Sequence, residues 1–291
     1  MKVDKFRTVI IYIIIILLGL VCLLPLLNIV AISFSSSAAV EGNMVGLIPV
    51  GFSTAAYEKI LEDSQFWHSF LISVERVVLT LIINFVLIVL MAYPLSKTNA
   101  QFRGRNIYAN LMIFAMLFNG GMIPTFLLVK SYGLLNTVWA LVLPGAVPIF
   151  NVILVMNFFA AVPKELEEAA FIDGANPLQV LTKIFIPISK PVLATVSLFS
   201  IVGSWNDFYS GLIYMSKAAY YPLMTYIQSL QINVEDLIKQ GNLSAVVDSA
   251  SLGNTNLNAA KIVVAVIPLL LIYPLLQRYF VSGIVVGSGK G

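Results

Sequence analysis

One cysteine, one histidine and a thin scatter of charge are what this 291-residue sequence has least of, and each shortage excludes a chemistry. A lone Cys22 cannot form an internal disulfide, and inside its apolar run it reads as a small buried hydrophobe. With His68 the single histidine, there is no His/Cys cluster for a metal and no partner for a serine or cysteine nucleophile. Neither a metal site nor an enzyme active site is expected. Charged residues make up 11% of the chain, against roughly a quarter in soluble domains, while 59% is apolar and mean hydropathy is +0.93. That leaves too little polar side chain to cover a water-facing surface, so the chain reads as an integral membrane protein. Its net charge of +3 is too small and too dispersed for nucleic acid.

A helix needs about 20 mostly apolar residues to cross a hydrocarbon core about 30 Å thick. Six such windows occur, at 8–32, 69–93, 106–128, 134–158, 188–213 and 262–282. Their apolar residues run all round the helix, as expected where lipid or other helices meet every face. The first window is longer than the 7 to 15 residues of a signal-peptide core, so it is kept as a span. With the N-terminus inside, Lys2, Lys5, Arg7, Lys97, Arg103, Arg105, Lys164, Lys183, Lys190, Arg278 and Lys290 collect on the cytoplasmic side, which the positive-inside rule favours. The expectation is an all-α membrane protein with six transmembrane helices and both termini cytoplasmic. It is a single domain over 1–291, with external loops at 33–68 and 214–261 and a tail at 283–291. The C-terminal GSGK is no phosphate loop, because Ile284 stands where the first glycine belongs and no Ser or Thr follows Lys290.

The cytoplasmic loop 161–187 is the most punctuated stretch. Pro163 suits a first helical position, and Glu165, Glu167 and Glu168 crowd a first turn where the helix dipole favours carboxylates. Gly174 can take the left-handed conformation that ends a helix. Asn176 and Pro177 then open a second short helix to about Phe185, and Pro187 and Pro191 mark the return to the membrane. Ala169 and Ala170 leave one flank of the first helix without bulk, so it can seat in a cleft of another protein.

Glu168, Ala169, Ala170, Gly174, Ile184, Ile186 and Pro187 match EAA-x3-G-x9-I-x-L-P, with Ile186 in place of Leu. In this the chain resembles permease subunits of binding-protein-dependent ABC importers. NGGMIPTFLLVKSYGLLNTVWALVLP at 119–144 and SWNDF at 204–208 narrow the resemblance to carbohydrate importers. The ending RYFVSGIVVGSGKG is similar to the tail of the second permease of the maltose importer.

The resemblance implies a type I ABC importer permease fold. It implies oligosaccharide import as half of a heterodimer with a second homologous permease, on a dimer of ATPase subunits, fed by an extracellular sugar-binding protein. No cofactor is then bound by this chain; ATP and Mg belong to the partner ATPase. The ATPase-coupling residues would be Glu168, Ala169, Ala170, Asp173, Gly174, Ile186 and Pro187, and Gly287, Ser288, Gly289 and Lys290 would reach between the ATPases. The loop carrying Gly241, Asn242, Ser249 and Asn254 would enter the binding protein's cleft. The alternative from another class is a self-sufficient secondary transporter or channel, which predicts a repeat-related half or a mid-membrane carboxylate cluster.

Several residues stand as candidates for the substrate path. Asp207 with Trp205, Asn206 and Tyr209 can meet sugar, aromatic faces on rings and polar groups on hydroxyls, or can serve packing and gating. Glu75 and Arg76 are adjacent and cannot pair on one helix, so each finds a partner elsewhere, lines the path or snorkels outward. Asn119, Gly120 and Gly121, followed by Pro124, interrupt the third window and mark either an unwound cavity lining or close packing. Asn151 and Asn157 can bond sugar hydroxyls or a neighbouring helix.

Overall fold

The computed structural model describes residues 5–118, 120–230 and 255–287. The described residues are mostly helical, with no strand among them. The longer elements in chain order are α1 (Lys5–Ser33), α2 (Ser37–Glu41), α3 (Ala55–Glu62), α4 (Ser64–Leu95), α5 (Arg105–Leu117), α6 (Met122–Ser131), α7 (Val138–Val142), α8 (Ile149–Ala160), α9 (Lys164–Ile172), α10 (Pro177–Val180), α11 (Ile186–Ile188), α12 (Lys190–Asn206) and α13 (Tyr209–Tyr214). They are followed by α14 (223–230) and α15 (Thr255–Gly287). Among the described residues three helices are long and apolar enough to cross a bilayer, within α1, α4 and α15. Three bent pairs qualify as well if each is one span, namely α5 with α6, the stretch from α7 to Gly145 with α8, and the stretch from α10 to α11 with α12.

Each bend has a local cause. The third window breaks where Phe118 is extended and Gly121 takes φ +90°, and Pro124 then falls in the first turn of α6. The fourth is bent by 47° where Pro144, Gly145 and Pro148 interrupt the ladder. The fifth differs from the single helix expected over 188–213. It is bent by 84° from the loop helices at its start, and it stops at Asn206. Asp207 there leaves helical geometry, and its carboxylate accepts from the Ser210 backbone N–H at 3.1 Å and hydroxyl at 2.6 Å, which caps α13.

The chain divides into two compact units, residues 1–67 with 226–268, and 68–225 with 269–291. In the first, α1 shows apolar side chains on every side from Val9 to Leu27, the pattern of a helix whose contacts come from lipid or another subunit. Beyond it the chain packs through Phe34 on Tyr57, with ring centroids 4.7 Å apart, and Asn256 donates to the Ser35 carbonyl at 3.2 Å. Asp63 organises the rest. It accepts from the Phe66 N–H at 3.0 Å as the cap of α4, from the Tyr226 hydroxyl at 2.9 Å, and pairs with Lys261 at 2.7 Å. Lys261 is 4% exposed and lies 4.9 Å from the Tyr226 ring centroid. Burial alone would raise the Asp63 carboxyl, but the bonds from Lys261, Phe66 and Tyr226 outweigh it and hold it below the usual carboxylate range.

In the second unit a core of Ile88, Val89, Ala92, Val152, Val155, Phe159, Val180, Phe185, Val192 and Val196 joins α4, α8, the 177–188 stretch and α12. A second cluster of Val129, Ala140, Leu141, Tyr214 and Met215 joins α6, α7 and α13. Between α4 and α12 lies a ladder of polar pairs. Arg76 pairs with Asp207, Ser204 donates to Thr80 at 3.4 Å, and Asn84 donates to Ser200 at 3.2 Å. Positions 76, 80 and 84 recur every four residues and so share one face of α4.

Because the Asp63 carboxyl titrates lower in the folded chain, its contribution to stability is complete above the unfolded carboxylate value of about 4 and is lost as pH falls through the lowered folded value. Asp63→Asn is expected to lower stability by about 1–3 kcal/mol at neutral pH. It should also flatten the acid limb of thermal-melt curves in detergent. An unchanged acid limb would show that Asp63 is not the titrating group.

Candidate functional site

The 161–188 stretch is built from local rules. Glu165 and Glu167 sit in the first turn of α9, at its positive end. At the other end Gly174 takes φ +81°, its N–H bonds to the Phe171 carbonyl at 3.0 Å, and the Ala175 N–H reaches the Ala170 carbonyl at 2.9 Å. This is the Schellman arrangement, and it requires a residue at ease with positive φ. Asn176 and Gln179 then form a reciprocal capping box, with both bonds at 2.9 Å, and Pro177 opens α10. The second short helix runs past Phe185, through a π-helical turn at Leu181–Phe185 into α11.

α9 has two different flanks. Glu168, Ala169, Asp173 and Gly174 are exposed, alongside exposed Leu166, Phe171 and Ile172. Ala170 and Ile186 are instead partly buried against the core, so they seat the loop, while Pro187 is exposed. The inward flank carries Glu167, 8% exposed, which pairs with Lys97 at 2.6 Å and accepts from the Tyr93 hydroxyl at 3.2 Å. The Lys97 ammonium lies 4.1 Å from the Tyr93 ring centroid and 4.3 Å from that of Phe185. Burial lowers the Lys97 pKa, with the Glu167 carboxylate pulling the other way.

A cavity of about 260 Å³ is lined by Arg76, Thr80, Asn84, Asn151, Ser204 and Asp207 together with apolar residues that include Leu141 and Phe199. Arg76 is 3% exposed and does not snorkel. One guanidinium nitrogen donates to the Asp207 carbonyl at 2.9 Å and the other to the Asp207 carboxylate and, at 3.5 Å, to the Leu141 carbonyl. The pair neutralises the cavity wall. Ligand sites for drug-sized molecules take about 300–1,000 Å³, so this cavity by itself does not enclose an oligosaccharide.

Of the other candidates, Glu75 and Asn206 are exposed, and Trp205 is buried with its ring edge-on to Phe70. Tyr209 is exposed, its hydroxyl donating to the Met122 sulfur at 2.8 Å. The four residues 205, 206, 207 and 209 thus do not converge on one surface. Asn151 is buried at the cavity, and Gly120 is exposed. Asn119, Gly241, Asn242, Ser249, Asn254, Ser288, Gly289 and Lys290 lie outside the described residues, and Gly287 is the last residue of α15.

Sequence reasoning missed Lys97 with Glu167 and Asp63 with Lys261 as pairs, since partners 70 and 198 residues apart carry no local signal. The Arg76, Thr80, Asn84 period was visible, as three polar residues four apart in an otherwise apolar span. Gly174→Ala meets no atom within 4 Å, so its effect is conformational, about 1–2 kcal/mol lost, and Gly174→Asn should lose less. Equal melting temperatures for the two variants in detergent would contradict this.

Comparison with known proteins now places the chain. It is 40% identical to Protein LplC of Bacillus subtilis over 94% of this chain and 91% of that protein. It is 39% identical to the polygalacturonan/rhamnogalacturonan transport system permease protein YtcP of the same organism, over 99% of each. Its fold superposes with a TM-score of 0.83 on a chain from the crystal structure of a bacterial ABC transporter involved in the import of the acidic polysaccharide alginate. That match is 32% identical and covers 96% of this chain and 98% of the other. Residues 84–286 match the family described as binding-protein-dependent transport system inner membrane component, and the chain belongs to that family.

Proposed function

We propose that this chain is the permease subunit of an ATP-driven ABC importer that carries oligosaccharides, acidic ones in particular, across the bacterial cytoplasmic membrane. The observation that carries the reading is the family match over 84–286 coinciding with a Schellman-capped α9 on which Glu168 and Ala169 of the signature are exposed. The acidic preference draws on the polygalacturonan/rhamnogalacturonan permease and on the alginate importer, both similar over nearly the full chain.

The three long helices and three bent pairs act as six spans, with both termini in the cytoplasm. Glu168, Ala169, Asp173 and Gly174 dock on one subunit of an ATPase dimer, and the tail at 287–290 reaches between the two ATPases. A second, homologous permease completes a pathway that the 260 Å³ cavity only begins. Sugar arrives from an extracellular binding protein that meets the external segment containing Gly241, Asn242, Ser249 and Asn254. ATP and Mg stay on the ATPase. Closure of that dimer favours one of two permease states, and the free energy for transport comes from the differential affinity of ATP for them.

The complex purified with its ATPase, second permease and binding protein should hydrolyse ATP faster when binding protein and oligogalacturonide are added. Glu168→Lys and Gly174→Asp should remove most of that stimulation. Stimulation by malto-oligosaccharide and not by oligogalacturonide would overturn the acidic preference. Hydrolysis indifferent to both substitutions would overturn the docking role.

A further inference from the structure

An exposed flank on α9 explains how a partner grips the helix, not how a pull on it reaches the spans. The opposite flank does. Both Glu167 oxygens are held by the Lys97 ammonium, at 2.6 and 2.7 Å. Lys97 lies two residues beyond the end of α4, Tyr93 lies within α4, and Phe185 ends the π-helical turn that leads to α11 and α12. Three elements therefore meet on one ammonium: α9 through Glu167, α4 through Tyr93 and Lys97 itself, and the 181–185 turn through the Phe185 ring.

Two properties distinguish this contact from the apolar packing around it. Apolar surfaces slide past one another with little change in buried area, whereas a charge pair with hydrogen bonds is directional and resists both separation and shear. Breaking it also leaves an ion in a largely buried place, which a protein avoids at substantial free-energy loss. A joint made this way transmits pushes and pulls alike. Beyond it, α4 is fastened to α12 by the Arg76–Asp207, Thr80–Ser204 and Asn84–Ser200 ladder, so displacement of the end of α4 carries α12 with it.

We propose that the Lys97–Glu167 pair is the joint through which α9 drives α4 and α12 as one body, making Lys97 and Glu167 positioning residues for coupling, not docking residues. The inference rests on the reading of α9 as the ATPase-docking helix. It places transmission on a residue adjacent to the docking glutamate but facing the other way.

The test uses the complete importer, two permeases, ATPase dimer and binding protein, reconstituted in liposomes, and measures ATP hydrolysed per sugar imported. Glu167→Gln and Lys97→Gln should keep the ATPase attached and basal hydrolysis unchanged, yet raise ATP per sugar at least about fivefold, the lower end of coupling between distant sites. Tyr93→Phe, which keeps the ring and removes one hydrogen bond, should raise it by a smaller factor. Lys97→Arg, which keeps the charge, should restore most of the loss seen in Lys97→Gln. An unchanged ratio in intact Glu167→Gln or Tyr93→Phe complexes would overturn the joint, as would Lys97→Arg behaving like Lys97→Gln. A wild-type complex with no ATPase attached would instead overturn the docking role of α9 and the joint with it, and the two failures are told apart by whether the complex is intact.

Discussion

Polar side chains inside a bilayer must find partners within the protein, because hydrocarbon offers none. On α4 that constraint falls on Arg76, Thr80 and Asn84, and their side-chain partners come from one stretch of chain, Ser200 to Asp207. Much else in the second unit follows. Two helices far apart in sequence are locked in register. Asp207 is drawn out of helical geometry to serve Arg76 and cap α13 together, which ends the fifth helix early. The same residues give the cavity its polar but charge-balanced wall. A membrane-embedded arginine that would otherwise be a liability fixes the helix pair and shapes the cavity beside it.

The loop around α9 solves a different problem on one short helix. Its outward flank exposes small and charged residues, and its inward flank is anchored to the core. Adjacent glutamates divide the work, because successive residues on a helix point about 100° apart: Glu168 faces out and Glu167 faces the Lys97 cage. Gly174 fixes where the helix stops, and the Asn176 capping box fixes where the next begins, so the exposed flank is held by short-range bonds. Ala170 and Ile186, which share the sequence signature with exposed Glu168 and Ala169, pack inward against the core.

What could be read from the sequence follows the range of the forces involved. Helix identity, the break near Gly121, the C-terminal stop at Gly174 and the cap at Asn176 depend on neighbours within a few residues, and all were legible. So was the family, since the EAA pattern is itself local. The fifth window was read as one helix, whereas α12 stops at Asn206, where Asp207 bonds both to Ser210 and to Arg76, 131 residues away. Which of the residues at 205–209 pack inward was not legible, because burial of Trp205 against Phe70 depends on tertiary packing that composition does not encode. Asp63 with Lys261 was invisible for the same cause, although a lysine within an apolar helix signals a hidden partner.

The central claim is that α9 and α4 move together. Spin labels on cysteines placed at Ile172, 87% exposed on α9, and Leu71, 64% exposed near the start of α4, would report it in the assembled importer after Cys22→Ser. The account predicts the same inter-label distance in the nucleotide-free and ATP-trapped states, and a distance that differs between those states once Glu167→Gln is introduced. A distance that already changes on ATP trapping in the protein with Lys97 and Glu167 intact would contradict it.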